Sequence, residues 1–472
     1  MCDVNTCCVC EIDEVTSDII DASENHPFES EIEKIYQKYG KDAVNEALKE
    51  LDELRNRGVL SSSDLNEFDQ PVHPLITMIC MNISHTCDLS CNYCYAGGGS
   101  YFQKEKMMDK NTAEKSIDFL INNSGEEKSL SVSFFGGEPL LNFSILKHTV
   151  KYARAQGKLH DKKFEFHVTT NGLHLTKEIQ KFLNKEKFSI IVSFDGPKRI
   201  HNKQRPYRNG KGSYKNVMNN ALQFLETRNP YGITIRGTFT GKSHKISDMI
   251  MHPVKLGFRR ISVEPCMLPP DHEYAIRLED IPKIKKSYDE VAKTYLKNLS
   301  KGNLFEFFHF FSIMDSIYSP IPQLTQCGAS RGYVGISPTG DIYPCHSLIH
   351  IDEYKLGNVF DGDVNRDVQK TFHSANVQGK EKCKTCWAKY FCGGGCHAHA
   401  IKYGNGIFEP YEVECSLFKH RLELAMWIYT VLAKENPEVL EKLFNDGRKI
   451  SNKILESTDC PEDTPSELKK KP

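Results

Sequence analysis

Three cysteines within one short run have the spacing that most clearly predicts chemistry in this chain. They follow the pattern Cys87-x3-Cys91-x2-Cys94, inside the stretch from His85 to Tyr95. Three thiolates on one loop can ligate three irons of a [4Fe–4S] cube and leave the fourth iron free for a substrate or cofactor. With 17 cysteines in 472 residues, chance placement at these offsets is expected about 0.02 times per chain. Buried, unligated thiols are the simpler alternative.

This arrangement resembles the radical S-adenosylmethionine (SAM) superfamily. The resemblance implies that the open iron of the cluster chelates the amino and carboxylate groups of SAM. It also implies that reduction of the cluster cleaves SAM to a 5′-deoxyadenosyl radical.

A glycine-rich motif, Gly136-Gly137-Glu138-Pro139, follows the next apolar stretch. Two glycines let a backbone edge approach a ligand closely, and Glu138 would accept hydrogen bonds from an ammonium or fix the loop. An ordinary turn is the alternative if the motif is taken alone. One strand after the cysteine loop, however, it matches the SAM-amine motif of the superfamily, so Gly136, Gly137, Glu138 and Pro139 are predicted to contact SAM.

The same resemblance implies six further SAM contacts, one in the cysteine loop and five further along the chain: Tyr93, Asn171, Ser193, Asp195, Arg205 and Glu264. Tyr93 would lie against the adenine, and Arg205 could pair with the SAM carboxylate because a guanidinium offers a bidentate fork. Each of these side chains could instead be a cap, a turn residue or part of a local salt bridge.

A second group of seven cysteines lies in the C-terminal third: Cys327, Cys345, Cys383, Cys386, Cys392, Cys396 and Cys415. The pair Cys383-x2-Cys386 with a later pair could build a tetrahedral zinc site. The order of all seven resembles the SPASM extension of radical SAM enzymes, which carries two auxiliary [4Fe–4S] clusters. With the first cluster, the expected cofactors are therefore three [4Fe–4S] clusters and SAM.

The SPASM resemblance implies interleaved ligation of the two auxiliary clusters. The distal cluster would have four ligands, Cys383, Cys386, Cys392 and Cys415. The proximal cluster would have three, Cys327, Cys345 and Cys396. Because a cube has four irons, our hypothesis is that the proximal cluster keeps one iron open for a cysteine thiolate of the substrate. Cys266 could reach this cluster, but no motif supports it.

His346 directly follows Cys345 and is a candidate catalytic residue. In the resembling sulfatase maturases, which oxidise Cys or Ser to formylglycine, an aspartate acts as base at this place, and its absence argues against that reaction. His346 could carry a proton, although a packed side chain is the favoured interpretation.

The elements that position these residues alternate between strand and helix from residue 75 onward. Such alternation predicts a parallel sheet, and polar groups at consecutive strand ends are typical of βα barrels. About six units fit, so we predict an α/β fold with a partial (β/α)6 TIM barrel over residues 75–300, the fold that the resemblance also implies. The predicted strands cover 76–83, 130–135, 163–168, 188–192, 233–239 and 259–263, and helices cover 111–122 and the stretch from 143.

Smaller units flank the predicted barrel. Residues 1–70 are predicted to form a winged-helix-like module with short strands at 8–12 and 15–20 and helices at 29–39 and 42–57. It resembles the recognition element at the front of many peptide-modifying enzymes. A helical stretch at 280–316 is predicted to run into a bridge over 301–326. The SPASM domain follows at 327–420. C-terminal helices at 421–456, with a break near Pro437, and a disordered tail at 457–472 complete the predicted organisation. Four further cysteines, Cys2, Cys7, Cys8 and Cys10, match no metal spacing and are interpreted as incidental.

The charge distribution and the composition argue against some classes of binding partner. Residues 1–70 hold 18 Asp/Glu against 6 Lys/Arg, a balance of −12, whereas the whole chain has a net charge of −1. An acidic front module fits nucleic acid poorly. The chain shows neither an apolar run long enough to span a membrane nor an export signal. The high number of cysteines therefore indicates metal ligation in a reducing cytoplasm and not disulfide bonds. We therefore expect a cytoplasmic protein with no nucleic-acid or membrane partner.

Several motifs resemble those of peptide thioether maturases, in particular the ranthipeptide group with its SCIFF and freyrasin-type substrates. These motifs are Phe134–Phe143, Arg236–Phe239, Gly257–Phe258, Ile261–Pro265, Phe307–Phe310, Pro338–His346 and Cys386–Lys389.

The ranthipeptide resemblance implies an oxidoreductase that matures a ribosomally synthesised precursor peptide, whose leader the acidic module holds. An external flavodoxin- or ferredoxin-like donor would reduce the first cluster. The radical would remove hydrogen from a side-chain carbon of an Asp-, Glu- or Thr-like acceptor, and a substrate Cys sulfur on the proximal cluster would bond to that carbon. Another radical SAM/SPASM modification (an α-carbon thioether, a carbon–carbon link, an epimer or formylglycine) and a non-catalytic iron–sulfur or zinc scaffold stay open.

Overall fold

The computed structural model describes residues 1–25, 28–60, 62, 64 and 75–444. The predicted tail at 457–472 and the last part of the predicted C-terminal helices lie outside the described residues.

A hairpin and three helices form the N-terminal module. Strand β1 (Cys2–Asp3) pairs antiparallel with β2 (Cys8–Val9), and helices α1 (Glu14–Asn25), α2 (Phe28–Tyr39) and α3 (Lys41–Asn56) follow. The helices at 29–39 and 42–57 are thus confirmed. The strand predicted at 15–20 is wrong, because Val15, Ile19 and Ala22 share one face of α1 and pack into the three-helix core.

Strands and helices alternate through the next region as predicted, and six parallel strands form a partial barrel. Their sequence is β3 (Met78–Ser84), α4 (Lys110–Asn122), β4 (Ser129–Gly136), α5 (Phe143–Leu159), β5 (Lys163–Thr170), α6 (Lys177–Lys185), β6 (Ser189–Ser193), α7 (Lys198–Gln204), α8 (Tyr214–Leu225), β7 (Ile233–Phe239), α9 (Ile246–Lys255) and β8 (Arg260–Pro265).

Alternate side chains of the barrel strands are buried and pack against one another. Along β5, Phe164, Phe166 and Val168 are buried at every second position, as the two-residue period of a strand requires. The Phe166 ring stacks on Phe134 and Phe188 of neighbouring segments, with centroids 6.3 Å and 5.5 Å away. This aromatic layer fixes the strands in one register, so their C-terminal ends meet at one mouth.

The sheet continues beyond the barrel on both sides. After α10 (Ile281–Ser300), β9 (Glu306–Phe307) pairs with β8, and α11 (Phe308–Tyr318) follows. On the other edge β10 (Tyr333–Ile336) pairs parallel with β3, and β11 (Asp341–Tyr343) and β12 (Gly357–Asn358) extend the sheet antiparallel. The C-terminal domain is therefore joined to the barrel through shared backbone hydrogen bonds.

Four short helices and one long helix complete the C-terminal domain: α12 (Arg366–Ser374), α13 (Glu381–Lys384), α14 (Lys389–Cys392), α15 (His397–Tyr403) and the 24-residue α16 (Glu412–Glu435). Residue 436 is not helical and residues 437–444 are helical again, so the break predicted near Pro437 is confirmed. Within the described ranges, the search for a helix of membrane-spanning length and apolarity gave none.

Candidate active site

A cavity of about 530 Å3 lies at the C-terminal ends of the barrel strands, between the barrel and the C-terminal domain. Eleven of the predicted site residues line it: Cys87, Cys91, Tyr93, Cys94, Gly136, Gly137, Asn171, Ser193, Arg205, Glu264 and His346. The tertiary structure thus brings residues from six strand ends and from the second domain to one space.

The cysteine loop and the glycine motif lie against each other at the mouth of β3 and β4. The Gly137 amide donates to the Ser84 carbonyl at 2.7 Å, and the Glu138 amide donates to the Thr86 carbonyl at 2.9 Å. A Cβ on Gly136 would lie 2.2 Å from the Ser84 oxygen, and one on Gly137 would lie 2.2 Å from the Thr86 oxygen. Both positions therefore require glycine, because a side chain would push the two loops apart.

Glu138 is directed into its own loop and does not line the cavity. Its carboxylate accepts hydrogen bonds from the Leu140 amide (3.0 Å), the Thr170 hydroxyl (2.8 Å) and the Asn171 amide (2.7 Å). Burial raises the pKa of Glu138 to about 7, against the opposing effect of these donors. Pro139 begins the turn that follows. Of the two predicted roles of Glu138, fixing the loop is the one that its hydrogen bonds support, and neither Glu138 nor Pro139 lines the cavity.

Tyr93, Asp195 and Arg205 form one buried hydrogen-bonded group. The Tyr93 hydroxyl donates to Asp195 at 2.9 Å and accepts from Arg205 Nη1 at 2.7 Å. Asp195 also accepts from the Gln204 side-chain amide and the Thr238 backbone amide, and it does not line the cavity. Arg205 Nε is buried without a hydrogen-bond partner, although Arg205 lines the cavity. A carboxylate ligand such as that of SAM fits this unpaired donor.

Asp88, which sequence reasoning missed, fixes the predicted Asn171. Asn171 Nδ2 donates to Asp88 Oδ1 at 2.7 Å, and His174 contacts the other carboxylate oxygen at 2.9 Å. Burial raises the pKa of Asp88, but the hydrogen bonds of His174 and Asn171 outweigh this and lower it. The only sequence signal was the position of Asp88 directly after a cluster cysteine.

The seven C-terminal cysteines separate into two thiol groups, as the resemblance implies. Cys327, Cys345 and Cys396 pack around one small core near the cavity, and they interact electrostatically with one another. The other group interacts in the same way and comprises Cys383, Cys386, Cys392 and Cys415. In the described part of the chain, no three Cys, His, Asp or Glu side chains are arranged to hold a single metal ion.

Burial raises the pKa of Cys327 in the first group to about 11 and the pKa of Cys392 in the second group to about 12. Thiolate is the form that ligates iron, so metal binding must overcome this cost and releases protons. All-sulfur donor sets of three and four thiols fit iron–sulfur clusters.

His346 lines the cavity beside Cys345. Its ring packs on Phe135 with centroids 4.7 Å apart, and its Nδ1 lies 2.5 Å from the Tyr333 hydroxyl. Burial lowers the pKa of His346 to about 4, so the ring is neutral at pH 7. These contacts favour the packed interpretation.

Six further acidic, basic or histidine side chains line the cavity and were not predicted: Arg236, His309, His399, Lys402, Glu414 and Arg421. The motifs at Arg236–Phe239 and Phe307–Phe310 contain two of them, but a motif does not show which way a side chain points. His399 and Glu414 contact each other at 3.2 Å. His309 contacts Glu264 at 2.9 Å, so the predicted Glu264 is held from the C-terminal side of the barrel.

Two sequence families match this chain. Residues 81–250 match the radical SAM superfamily, and residues 327–387 match SPASM, an iron–sulfur cluster-binding domain.

Known proteins of both kinds are similar to it. The cysteine-type anaerobic sulfatase-maturating enzyme of Clostridium novyi (strain NT) is 25% identical over 379 residues, which cover 76% of this chain and 97% of that protein. The radical SAM cyclopropyl synthase TigE of Paramaledivibacter caminithermalis is 26% identical over 365 residues, covering 73% and 72%. The solved structure of native anSMEcpe with bound AdoMet and Kp18Cys peptide has a TM-score of 0.62 at 20% identity, covering 79% of this chain and 100% of that one, and shows the fold alone.

The chain therefore carries a radical SAM core and a SPASM domain, and it is homologous to radical SAM/SPASM enzymes that modify peptides. The radical SAM domain binds a [4Fe–4S] cluster and SAM, and the SPASM domain binds additional iron–sulfur clusters. The predicted fold and cofactor types are confirmed.

Proposed function

We propose that this protein installs thioether crosslinks between a Cys sulfur and a side-chain carbon of an Asp-, Glu- or Thr-like acceptor residue in a ribosomally synthesised precursor peptide. One observation carries the proposal. A single cavity is lined by the three-cysteine loop at one end and, at the other, by His346 and His399, which flank Cys345 and Cys396. A substrate in this space would contact both sets of thiol-bearing segments at once.

The proposed reaction replaces one C–H and one S–H bond with a C–S bond, so the peptide loses two hydrogen atoms. One leaves the carbon as a hydrogen atom, and the other leaves the thiol as a proton and an electron. When bound, SAM and the clusters supply a 5′-deoxyadenosyl radical that takes the hydrogen atom and an iron–sulfur centre that takes the electron.

The chain's own residues would bind and orient the reactants. Arg205 lines the cavity and its buried Nε has no hydrogen-bond partner, and Tyr93 is fixed beside it by Asp195. Gly136 and Gly137 let the backbone approach without a side chain between. The cavity lies between two domains joined by a common sheet, and exclusion of water there would protect a reactive radical from side reactions.

The number of thiols in each group supports different roles for the two auxiliary clusters. The proximal group has three, Cys327, Cys345 and Cys396, and the distal group has four. We propose that the three ligate a proximal cluster with one open iron that binds the substrate thiolate, and that the four close a distal cluster. Cys266 lies in the cavity wall among Tyr93, Tyr95 and Leu268, and Tyr403 interacts electrostatically with both Cys266 and Cys396 of the proximal group.

The N-terminal module is the proposed leader-binding element. A groove between α1 and α2 is lined by Asp18, Asp21, Glu31, Lys34 and Lys38, and the module as a whole is strongly acidic. A leader with basic residues would suit this surface. The electrons for SAM cleavage would come from an external flavodoxin- or ferredoxin-like protein.

Formylglycine formation is the second candidate, favoured by the similarity to a cysteine-type sulfatase-maturating enzyme. It differs in its product, because formylglycine formation removes the sulfur whereas a thioether retains it. His346 stands where that reaction would use an aspartate, so we rank it second.

The test uses the full chain, reconstituted anaerobically and supplied with SAM and dithionite. The substrates are synthetic peptides, each with a basic leader segment followed by one Cys and, after three intervening residues, an Asp, Glu or Thr. Mass spectrometry should show a product that has lost two hydrogen atoms, retained its sulfur and become resistant to thiol alkylation. The variant with Cys87, Cys91 and Cys94 replaced by Ala is the control. Loss of sulfur would favour formylglycine formation, and SAM cleavage with no change in any peptide would contradict the thioether proposal.

A further inference from the structure

Four side chains form a hydrogen-bonded chain that ends in the cavity wall. The Tyr288 hydroxyl contacts His309 Nδ1 at 2.9 Å, and His309 Nε2 contacts Glu264 Oε2 at 2.9 Å. The Ser262 hydroxyl donates to the other oxygen of Glu264. These groups come from α10, α11 and β8. The motifs Ile261–Pro265 and Phe307–Phe310, which are distant in the sequence, are therefore brought into contact by the fold.

The direction of these hydrogen bonds follows from the charge of the carboxylate. An ionised Glu264 only accepts, so His309 donates through Nε2 and accepts from Tyr288 through Nδ1. Burial raises the pKa of Glu264, but His309, Arg236 and Ser262 outweigh burial and lower it. Burial lowers the pKa of His309, so its ring is neutral. The negative charge of Glu264 is therefore not compensated by His309.

Glu264 is held in place but not covered. Its side chain is 24% exposed, whereas His309 is 4% exposed, and both line the cavity. Carboxylate oxygens have lone pairs beyond the two hydrogen bonds already made. Glu264 can therefore accept a further hydrogen bond from a molecule in the cavity.

Arg236 offers the complementary donor. It lies on β7, next to the strand of Glu264, and lines the same cavity. Its guanidinium attracts Glu264 electrostatically, yet among the described residues it forms no ion pair or side-chain hydrogen bond. The cavity wall thus presents a hydrogen-bond acceptor that is fixed in position, Glu264, and an unpaired donor, Arg236, that do not form an ion pair with each other.

This pair selects the chemistry of its ligand. An anionic group drawn to Arg236 would be repelled by Glu264, and a cationic group would be repelled by Arg236. A zwitterion or a neutral group with both a donor and an acceptor satisfies both. The zwitterionic part of SAM is assigned to the first cluster and Arg205, which leaves a peptide backbone, with an N–H and a C=O on each residue. Apolar neighbours such as Met267, Phe308 and Ile313 would accommodate the side chains.

We propose that Glu264 and Arg236 bind the backbone N–H and C=O of the acceptor residue, with His309 as a positioning residue, and so determine which carbon of that residue loses hydrogen. This inference rests on the proposed function, since it assigns a peptide to the cavity. It replaces the SAM contact that the resemblance implies for Glu264 with a substrate contact. Because a misplacement of about 1 Å can change a rate about a hundredfold, backbone clamping is a sufficient means of selecting one carbon.

The experiment uses the reconstituted full chain and the synthetic peptides described above, with deuterium at either the α or the β carbon of the acceptor. Transfer of deuterium into 5′-deoxyadenosine reports which carbon lost hydrogen, whatever bond forms afterwards. Wild-type protein should take deuterium from one position. Glu264→Gln should take it from both and should modify about tenfold fewer peptides per SAM cleaved, the equivalent of one charge-assisted hydrogen bond.

Three further variants separate positioning from general damage. His309→Phe should mix the two positions, whereas His309→Gln, which keeps a donor for Glu264, should restore most of the selectivity. Glu306→Gln is the matched control, because Glu306 is a buried carboxylate paired with Arg260 at 2.7 Å outside the cavity. It should leave the labelled position unchanged.

Two outcomes would overturn the clamp. One is a Glu264→Gln protein with the wild-type deuterium position and the wild-type ratio of modified peptide to SAM cleaved. The other is a Glu264→Gln protein whose only defect is weaker SAM binding, measured by equilibrium dialysis. If wild-type protein transfers deuterium but makes no thioether, the proposed function fails, while the deuterium pattern of the variants still decides the clamp.

Discussion

The two ends of the cavity are built in different ways. At the barrel end, Cys87, Cys91 and Cys94 lie on one loop, and backbone contacts of 2.7 Å and 2.9 Å join it to the glycine motif. At the other end, the lining residues His346 and His399 are neighbours in the chain of Cys345 and Cys396. The three thiols of this end, Cys327, Cys345 and Cys396, do not line the cavity themselves and come from separate segments on either side of β10, β11 and α12. A local site needs only the right loop, whereas the distributed site needs the whole second domain in place. The difference predicts that damage to one end leaves the other able to function.

Removing the ligands of one end at a time tests this independence most strongly. The protein with Cys87, Cys91 and Cys94 replaced by Ala should bind about eight irons instead of about twelve and lose all SAM cleavage. The matched variant with Cys327, Cys345 and Cys396 replaced should also bind about eight irons but keep SAM cleavage, with no crosslinked peptide. Iron and sulfide assays and chromatography of 5′-deoxyadenosine provide the measurements. Loss of SAM cleavage in both proteins would contradict the independence of the two ends.

Gly137→Ala should damage the barrel end without removing a ligand. Its Cβ would lie 2.2 Å from the Thr86 carbonyl oxygen, so the cysteine loop must shift, and SAM cleavage should fall about a hundredfold. Gly332→Ala is the control, because its Cβ would meet nothing closer than 3.6 Å. Steady-state kinetics at equal iron content would measure the effect, and wild-type rates for Gly137→Ala would show that close packing of the loops is unnecessary.

Arg205→Lys should weaken SAM binding while leaving the far end of the cavity intact. Lysine keeps the charge but cannot form a bidentate contact with a carboxylate, so the Kd for SAM should rise about tenfold. Arg228→Lys serves as the comparison, since Arg228 is partly buried and donates to the Phe188 carbonyl away from the cavity. Equilibrium dialysis with SAM would reveal the change, and equal Kd values for the two variants would remove Arg205 from the binding site.

The smallest effect is a pH dependence of stability from Glu138. Its pKa is raised from 4.5 to about 7 in the folded chain, so protonation favours the folded state. The stability it contributes is fully present below pH 4.5 and is lost as the pH rises through 7, at most about 1.4 kcal/mol per pH unit. Denaturant unfolding of cluster-free protein should therefore show a flatter pH profile for Glu138→Gln than for wild type. The same slope in both proteins would mean that Glu138 titrates normally.

Much of the fold followed from local patterns in the sequence. The six barrel strands and the helices at 29–39 and 42–57 lie where periodicity placed them, because the hydrophobic period of an element is a local property. The strand predicted at 15–20 failed for a related reason. Val15 and Ile19 are four residues apart, a spacing that also suits a helix, and only packing against α2 and α3 decides between the two.

The sequence by itself determined the composition of the site: three thiols on one loop, seven thiols in a recognisable order, and glycines where two loops meet. Only the tertiary structure decided where side chains point. It directed Glu138 and Asp195 away from the cavity, brought Asp88 to Asn171, and joined His309 to Glu264. The physical reason is that spacing along the chain constrains neighbours within a loop or helix, whereas the partner of a buried carboxylate is chosen by whichever donors the packed strands and helices bring within hydrogen-bonding distance.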